Sequence, residues 1–320
     1  MKKLSICIAC YNEEENILDA YNQISSICQD LKDYDYEIIF ADNASKDDSE
    51  QIFRQLAEAD KHVKVIFNYR NYGPARSSKN VCIRATGDAV ISLPCDLQDP
   101  PEMIPVLVKE WEAGNLIVWG QKTGSQENPI KYFLRNIYYR IIKGVASVPQ
   151  LEQVTGFGII DRSVWREIKA TNERTMSVRH LVADLGYPVK LVPYTQRKRK
   201  KGKSSYNLWR WLDFAINSLI NTSTVPLRMT TLFGLICSLV SFFIGIVYLV
   251  YKLIYWNSFS AGIAPIIIAV LFLGSVQIMI MGVIGEYIGV VLSKVTKRPL
   301  VLERECLNFE EINEKQDDEN

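Results

Sequence analysis

Polar side chains follow each of the first four predicted strands of this 320-residue chain. In open α/β sheets, ligands bind beyond the carboxyl ends of the strands. A turn after a strand is usually polar, so a single polar end carries little information. Four such ends together favour a binding cleft with hydrogen-bonding and acidic groups. The residues are Tyr11, Asn12 and Glu13; Asp42 and Asn43; Arg70, Asn71 and Gly73; and Asp96 and Gln98.

The stretch VISLPCDLQDPPEM, Val90 to Met103, is predicted to form a buried strand, a turn and the start of a helix. Asp99 precedes two prolines and a glutamate, which is the pattern of a helix N-cap. We therefore assign Asp99 a structural role. Asp96 has no such role, so its carboxylate is the one in this loop that could bind a metal. A metal site and a loop that never held a metal both stay open at this stage.

Strand and helix patterns alternate through the first 120 residues, which predicts right-handed crossovers and a mostly parallel sheet with helices on both faces. A capping box of Ser45 and Asp48 is expected to start the second helix. The predicted strands are Leu4–Cys10, Tyr36–Ala41, Val63–Phe67, Ala89–Leu93 and Leu116–Gly120; the predicted helices are Glu14–Leu31, Lys46–Ala59, Arg76–Ala85 and Glu102–Ala113.

Beyond Gly120 the alternation is looser. A basic loop, RKRKKGK, leads into an amphipathic segment rich in tryptophan, which is typical of a helix lying in a membrane interface. The acidic tail after Glu303 is predicted to be mobile. The remaining predicted elements are the helices Pro129–Val145 and Ser177–Leu185, the strands Thr155–Ile160 and Val189–Tyr194, and the interfacial segment Asn207–Thr222.

Two uncharged runs, Met229–Tyr251 and Leu253–Gly285, are each long enough to cross a bilayer as a helix. A buried helical hairpin in a soluble core is the disfavoured alternative, because runs this apolar on all faces are rare outside membranes. Basic residues flank the pair on both sides, so both termini are expected in the cytoplasm. The apolar run Leu4–Cys10 is too short for a signal peptide.

The chain carries 37 Lys and Arg against 36 Asp and Glu, which gives no argument for a nucleic-acid partner. Cys7 and Cys10 form a CxxC pair on an apolar run, but a zinc site needs four ligands and the chain has only two histidines. Buried strand thiols are the better interpretation, and free thiols agree with a cytoplasmic location.

Six segments together resemble the family 2 glycosyltransferases that act on polyprenyl phosphates, such as dolichol-phosphate mannosyltransferase and the bactoprenol glucosyltransferases. The resemblance covers nearly the whole chain, and its specificity lies in the combination. It implies a GT-A fold, hexosyltransferase activity, a nucleotide-sugar donor, a divalent metal (Mg²⁺ or Mn²⁺) and a lipid-phosphate acceptor. The segments are IACYNEEENI, EIIFADNASKDDS, NYRNYGPARSSKN, ATGDAVISLPCDLQDPPEMI, RHLVADLGYPVKLVPY and GEYIGVVLSKVTKRP.

The resemblance also implies roles for single residues. Asp96 and Gln98 would face the metal and the diphosphate, while Arg199 and Ser204 would hold the acceptor phosphate. Asp96 and Arg199 would be the catalytic residues. The implied donor-binding set is Tyr11, Glu13, Asp42, Asn71, Asp96 and Gln98.

Three positions depart from the family pattern in the predicted site. Pro94 replaces the first acid of an Asp-x-Asp motif, and Gly156 and Gly158 replace an aspartate and an arginine. These losses are compatible with activity, because the acceptor is a phosphate monoester with a second pKa of about 6 and is already an anionic nucleophile. Positioning and charge neutralisation are what the reaction needs. Since Mg²⁺ uses one or two carboxylates plus substrate phosphates, Asp96 with Gln98 could suffice at weaker affinity.

The sequence thus predicts an inverting, membrane-anchored glycosyltransferase. It would move one sugar from a nucleotide donor, with a UDP-sugar as the expected donor, to undecaprenyl phosphate on the cytoplasmic face of the cell membrane. The alternatives are a transferase with another membrane acceptor, and a degenerate paralogue that binds nucleotide sugar or lipid phosphate and regulates a partner. The sugar, the glycan pathway and the oligomeric state, including a homo-oligomer, stay open. The expected domains are 1–206 (GT-A domain), 207–228 (interfacial segment), 229–293 (transmembrane hairpin) and 294–320 (cytoplasmic tail).

Overall fold

The computed structural model of the protein describes residues 1–124, 153–171, 173, 177–197, 225–255, 263–296 and 299–309. The described parts of the chain up to residue 197, together with residues 299–309, form one compact unit, and the helices between residues 225 and 296 form a second. The predicted helix Pro129–Val145, the interfacial segment Asn207–Thr222 and the two acceptor residues, Arg199 and Ser204, lie outside the described residues.

An eight-stranded sheet forms the centre of the first unit, in the order β7-β5-β6-β4-β1-β2-β3-β8. Only β6 and β8 pair antiparallel to the direction of β1, so six of these eight described strands run the same way. The predicted α/β class with a mostly parallel sheet is confirmed. The strands are β1 Lys2–Cys10, β2 Tyr34–Asp42, β3 Val63–Asn68, β4 Ala89–Ser92, β5 Ile117–Gly124, β6 Val154–Asp161, β7 Lys190–Thr195 and β8 Glu303–Leu307.

Helices cover both faces of this sheet, as predicted. Side chains alternate along β2: Phe40 packs into one hydrophobic cluster and Ile39 into the other. The helices α1, α2 and α4 contribute to the first cluster and α3, α5 and α6 to the second. Their bounds are α1 Glu14–Asp30, α2 Ser49–Ala59, α3 Pro74–Ile83, a 3₁₀ turn Pro101–Met103, α4 Ile104–Glu112, α5 Arg162–Ala170 and α6 Val178–Asp184.

Two local predictions about helix starts need correction. The second helix begins at Ser49 rather than Lys46, and no side chain caps it. The Ser45 hydroxyl accepts the Asn12 backbone N–H at 2.9 Å, so the expected capping box does not form. Helix α5 was not predicted, although its N-cap is well built: Asp161 accepts the Ser163 N–H at 2.8 Å.

The prediction of a mobile tail after Glu303 is wrong for the first residues of that tail. Glu303–Leu307 form β8, which pairs antiparallel with β3 at the edge of the sheet. Just beyond it, the Asn308 side chain donates hydrogen bonds to the Ala57 and Val63 carbonyls at 2.6 and 2.8 Å. The acidic composition of this segment predicted mobility, but the segment forms a strand because its backbone pairs with β3, some 240 residues away in the sequence.

The second unit contains α7, Val225–Ile254, and α8, Ile263–Val295. A Cβ on Gly234 of α7 would lie 3.2 Å from Ile280 of α8, so the helices approach closely there. Among the described residues, one helical stretch, Phe272–Leu292, is long and apolar enough to cross a membrane by length and composition. The prediction of two transmembrane helices is not confirmed by this finding and stays a prediction.

A buried carboxylate stabilises the first unit at the end of the sheet opposite the polar rim. Glu37 is almost fully buried and contacts Lys64 Nζ at 2.7 Å and Lys3 Nζ at 3.1 Å. It also accepts hydrogen bonds from the Ser5 hydroxyl and the Thr86 backbone N–H. Burial alone would raise its pKa, but these partners outweigh burial and lower the pKa from the ordinary 4.5 of a glutamate to about 2.

Because the folded-state pKa of Glu37 is depressed, its charge stabilises the fold above about pH 4.5, and this contribution is lost as the pH falls towards 2. The shift corresponds to about 3 kcal/mol. Glu37→Gln should lower the free energy of unfolding of the full chain in detergent at pH 7, and the gap to wild type should narrow below pH 4.5. Glu58→Gln, at an exposed position, is the control. A gap that stays constant with pH would contradict this account.

Candidate functional site

The register of the parallel strands brings the predicted site residues to one edge of the sheet. Cys10 of β1 lies opposite Asp42 of β2, which lies opposite Phe67 of β3. On the other side of β1, Cys7 lies opposite Ser92 of β4. β1, β2 and β3 therefore end at nearly the same level, whereas β4 ends three residues earlier, and the turns that follow all four strands leave the same edge of the sheet as one polar rim. The rim holds the predicted donor-binding residues Tyr11, Glu13, Asp42, Asn71, Asp96 and Gln98.

The loops after β1 and β2 bind each other through reciprocal hydrogen bonds. Asn12 adopts a positive φ of 54°, donates its N–H to Ser45 Oγ, and accepts the Lys46 N–H on its side-chain oxygen at 2.8 Å. One turn further, Glu14 accepts the Asp48 N–H at 2.8 Å and donates its own N–H to Asp47 at 3.1 Å. These bonds fix the backbone that presents Tyr11 and Glu13.

Asp42 lies at the base of the rim and is 2% exposed. Its carboxylate accepts the Ser45 N–H at 3.2 Å, yet burial outweighs this bond and raises the pKa of Asp42 above its ordinary value. A buried carboxylate with acceptor capacity at a strand end suits a donor group on a bound ligand. Glu13, by contrast, is half-buried and accepts the Asn16 side-chain amide at 2.6 Å.

Asn43 organises the loop after β3, a role that was not predicted. Its side-chain oxygen accepts from Asn68 Nδ2 at 3.2 Å and from the Tyr72 N–H at 3.0 Å. Its amide donates to Asn71 Oδ1 at 3.0 Å, and the same Asn71 oxygen also accepts the Gly73 N–H. The oxygen of Asn71 therefore holds its own loop in shape, which leaves the exposed side of this residue for any ligand.

The turn after β4 presents Asp96 and Gln98 beside the loop that follows β1. Leu93 donates its N–H to the Cys7 carbonyl, which continues the strand pairing by one residue. Asp96 Oδ1 accepts the Gln98 N–H at 3.2 Å, and Leu97 between them has a positive φ of 55°. The carboxylate of Asp96 is therefore fixed by its own tight turn, as in an Asx-turn.

Asp99 is not the helix cap that the sequence predicts. Pro100 occupies the cap position of the 3₁₀ turn, and no side chain caps it. The Asp99 carboxylate is 2% exposed and instead accepts hydrogen bonds from three side chains far away in the sequence. They are the Tyr194 hydroxyl at 2.6 Å, Gln196 Nε2 at 3.1 Å and the Thr155 hydroxyl at 3.3 Å.

The described residues contain no group of three or more histidine, cysteine, aspartate or glutamate side chains that could hold a metal by themselves. The predicted ligands are one carboxylate, Asp96, and one amide, Gln98. Such a donor set does not fit zinc. It fits Mg²⁺ or Mn²⁺ held partly by substrate phosphates and water.

An open cleft of about 580 Å³ lies at the outer side of the rim. Of the predicted site residues it includes only Glu13. Its four carboxylates against one lysine would repel a diphosphate, so this cleft does not replace the Asp96 turn as the site for phosphate groups. The lining residues are Asn12, Glu13, Glu14, Glu15, Asn16, Lys46 and Asp47.

The two glycines of β6 that depart from the family pattern differ in the space around them. Gly156 has a φ of +94°, but no atom lies within 4 Å of the place a Cβ would take. A Cβ on Gly158 would overlap the Val118 carbonyl oxygen and lie 2.6 Å from Trp119 Cδ1. An arginine at position 158 therefore cannot be accommodated without moving the backbone of β5.

Comparison with known proteins gives the family. The chain matches the model of glycosyl transferase family 2 over residues 5–169 and that of the GtrB C-terminal hairpin over residues 226–291. The chain belongs to glycosyltransferase family 2, as the resemblance predicted. It is a hexosyltransferase.

Two curated relatives span nearly the whole chain. An uncharacterized glycosyltransferase of Synechocystis sp. is 34% identical over 301 residues, covering 94% of this chain and 94% of its own. A prophage-derived bactoprenol glucosyl transferase of Shigella flexneri is 33% identical over 299 residues, covering 93% of this chain and 96% of its own. A solved mannosyltransferase from Pyrobaculum calidifontis, in complex with GDP-mannose and Mn²⁺, is 18% identical with a TM-score of 0.45. It covers 65% of this chain and 59% of its own, and this likeness is too weak to bear on function.

The contrast between the two glycines can be measured. Gly158→Ala should strongly destabilise the chain, because the added Cβ meets backbone that cannot yield cheaply. Gly156→Ala should lower the free energy of unfolding by only about 1–3 kcal/mol, because the alanine would have to adopt a positive φ. Thermal unfolding of both variants in detergent tests this. Equal tolerance at the two positions would show that β5 adapts, and that the missing arginine could be restored by one substitution.

Proposed function

We propose that this protein is an inverting glycosyltransferase that moves one sugar from a UDP-sugar to undecaprenyl phosphate. The observation that supports the proposal is that the parallel strands β2 and β4 end at one edge of the sheet, where β2 ends in Asp42 and the turn after β4 carries Asp96, in a family 2 chain. The name of the relative, bactoprenol glucosyl transferase, supports a polyprenyl-phosphate acceptor for this chain as well.

In this proposal, an oxygen of the acceptor phosphate attacks the anomeric carbon of the donor sugar. The bond from that carbon to the nucleotide diphosphate breaks, and the configuration inverts. The acceptor oxygen is already anionic, so no side chain has to remove a proton. Tyr11, Glu13, Asp42 and Asn71 would position the donor for an in-line attack.

A divalent metal is proposed for the departing diphosphate. Asp96 would hold it, with Gln98 beside it, and the bound metal would supply charge neutralisation on the diphosphate. The acceptor phosphate is proposed to bind Arg199 and Ser204, which follow β7 in the sequence.

The hairpin is proposed to anchor the enzyme as two membrane spans, with both termini in the cytoplasm. Basic residues on both flanks of the hairpin support this orientation. We keep the expected domains 1–206, 207–228, 229–293 and 294–320 as a proposal, with the difference that Glu303–Leu307 complete the sheet of the first domain.

The decisive experiment incubates membrane vesicles with labelled UDP-sugars and undecaprenyl phosphate. A lipid-linked sugar should form with wild type and fail to form with Asp96→Asn, because the one carboxylate assigned to the metal is lost. The donor should be used by inside-out vesicles and excluded by right-side-out vesicles. If wild type binds nucleotide but makes no product with any donor or metal, the degenerate paralogue is correct. A product on another lipid would favour the alternative membrane acceptor.

The metal requirement gives a second test. Wild type should need Mg²⁺ or Mn²⁺, with a higher half-saturating concentration than Pro94→Asp, because that variant adds a second carboxylate to the turn. Transfer rate is measured against metal concentration after chelation, and unfolding temperatures confirm that the turn survives. Full wild-type activity in excess chelator would rule out the metal at Asp96.

The acceptor assignment can be tested separately. Arg199→Ala and Ser204→Ala should each raise the KM for undecaprenyl phosphate about 10- to 100-fold, because loss of a hydrogen bond to a charged group costs about 1.5–3 kcal/mol. The KM for the donor should change little. Lys201→Ala, in the same basic loop, is the matched control. A loss of donor affinity with unchanged acceptor kinetics would contradict the assignment.

A further inference from the structure

A buried carboxylate directly behind the Asp96 turn has partners that the proposed chemistry does not explain. Asp99 is 2% exposed, and its three side-chain partners within the part of the chain that the structure describes, Thr155, Tyr194 and Gln196, are all uncharged. Burying a carboxylate without a cation is costly unless its oxygens are well hydrogen-bonded. The three hydrogen bonds to the Asp99 carboxylate satisfy both of its oxygens and hold the turn in one position.

The partners of Asp99 connect three separate parts of the first unit. Thr155 lies near the start of β6, Tyr194 lies in β7, and Gln196 follows β7 directly. Phe157 of β6 packs edge-on against the Tyr194 ring, with ring centroids 5.5 Å apart, so the tyrosine is itself fixed. Asp99 thereby joins the turn after β4 to the neighbouring strand β6 and to the edge strand β7.

Main-chain hydrogen bonds reinforce the same connection. Arg197 donates its N–H to the Gln98 carbonyl at 2.9 Å, and Gln98 Nε2 donates to the Arg197 carbonyl at 3.4 Å. Arg197 also pairs with Glu102 at 3.1 Å, but both side chains are largely exposed, so this ion pair adds little. The backbone at residue 197 is therefore held against the turn two residues before Arg199.

We propose that Asp99 is a positioning residue that sets the Asp96–Gln98 turn in its metal- and diphosphate-binding geometry and ties it to the segment leading into the basic loop. This inference rests on the proposed function for the chemical identity of the ligands. The geometry behind it is independent of that function. Asp99 acts through the turn and touches neither donor nor acceptor.

A purely structural role for Asp99 makes a different prediction. Loss of its carboxylate would then lower the stability of the chain while leaving ligand binding by the folded molecules unchanged. A positioning role requires that metal-dependent binding of a nucleotide diphosphate weakens in molecules that remain folded. The two roles can be separated by binding measurements that do not require sugar transfer.

The test uses the full chain in detergent, with UDP as the probe, titrated by calorimetry in the presence and absence of Mg²⁺. Asp99→Ala should weaken UDP binding about tenfold with Mg²⁺ and change it less than about twofold without Mg²⁺. Tyr194→Phe, which removes one hydrogen bond, should show a smaller loss of the same kind. Asp99→Asn keeps an acceptor oxygen for Tyr194 and Gln196, so it should restore most of the affinity.

Glu102→Gln is the matched control, because it lies three residues away and loses only an exposed ion pair. The proposal is overturned if Asp99→Ala weakens UDP binding equally with and without Mg²⁺, or if the variant unfolds more readily than wild type but binds UDP as wild type does. If Asp99→Ala does not fold, the UDP affinities of Tyr194→Phe and Asp99→Asn, measured with and without Mg²⁺, test the proposal instead.

Failure of the proposed function is recognised separately. Wild type that shows Mg²⁺-dependent UDP binding but no lipid-linked sugar would refute the proposed function and leave the role of Asp99 supported by its variants. Wild type whose UDP affinity does not respond to Mg²⁺ would overturn both the metal site at Asp96 and this role of Asp99.

Discussion

Parallel pairing of β4, β1, β2 and β3 is the constraint on which the site depends. Backbone hydrogen bonds set the register of these strands, and the register places Cys10, Asp42 and Phe67 at one level. Each chain segment then leaves the sheet at the same edge, so residues that are 85 positions apart, such as Tyr11 and Asp96, emerge on one rim. No single polar turn could create a donor site, because each supplies only one or two groups. The register of the sheet brings these turns to one edge, which is where ligands bind in open α/β sheets.

The antiparallel strand β6 and the edge strand β7 also fix the position of the turn after β4. It lies between β4 and β5 and brings Thr155 to Asp99, while β7 brings Tyr194 to the same carboxylate. The turn that carries Asp96 is therefore supported from the side opposite to β1. The loops after β1 and β2 support each other through their own hydrogen bonds, and Asn43 supports the loop after β3. The rim consists of turns that are fixed by partners in neighbouring loops, which is the preorganisation that phosphate chemistry requires.

The three departures from the family pattern, at Pro94, Gly156 and Gly158, differ in how far the surrounding structure requires them. Pro94 stands where the family pattern has an acid, and its ring restricts φ two residues before Asp96. There is open space beside Gly156, so packing does not prevent an acidic side chain at this position. Gly158 is demanded by the close approach of β5, whose Val118 and Trp119 occupy the place a side chain would need. One of the three losses is thus built into the packing of the sheet.

The sequence alone determined the alternation of strands and helices, the polar strand ends and the family, because these depend on local periodicity, turn chemistry and short motifs. It could not assign Asp99, since an aspartate before two prolines has the same local pattern whether it caps a helix or accepts bonds from β6 and β7. It also missed β8 and the role of Asn43, whose partners come from distant parts of the chain. Only the tertiary structure decided these points. A buried polar group takes the partners that folding brings within hydrogen-bond distance, and for Asp99 these lie 56 to 97 residues away.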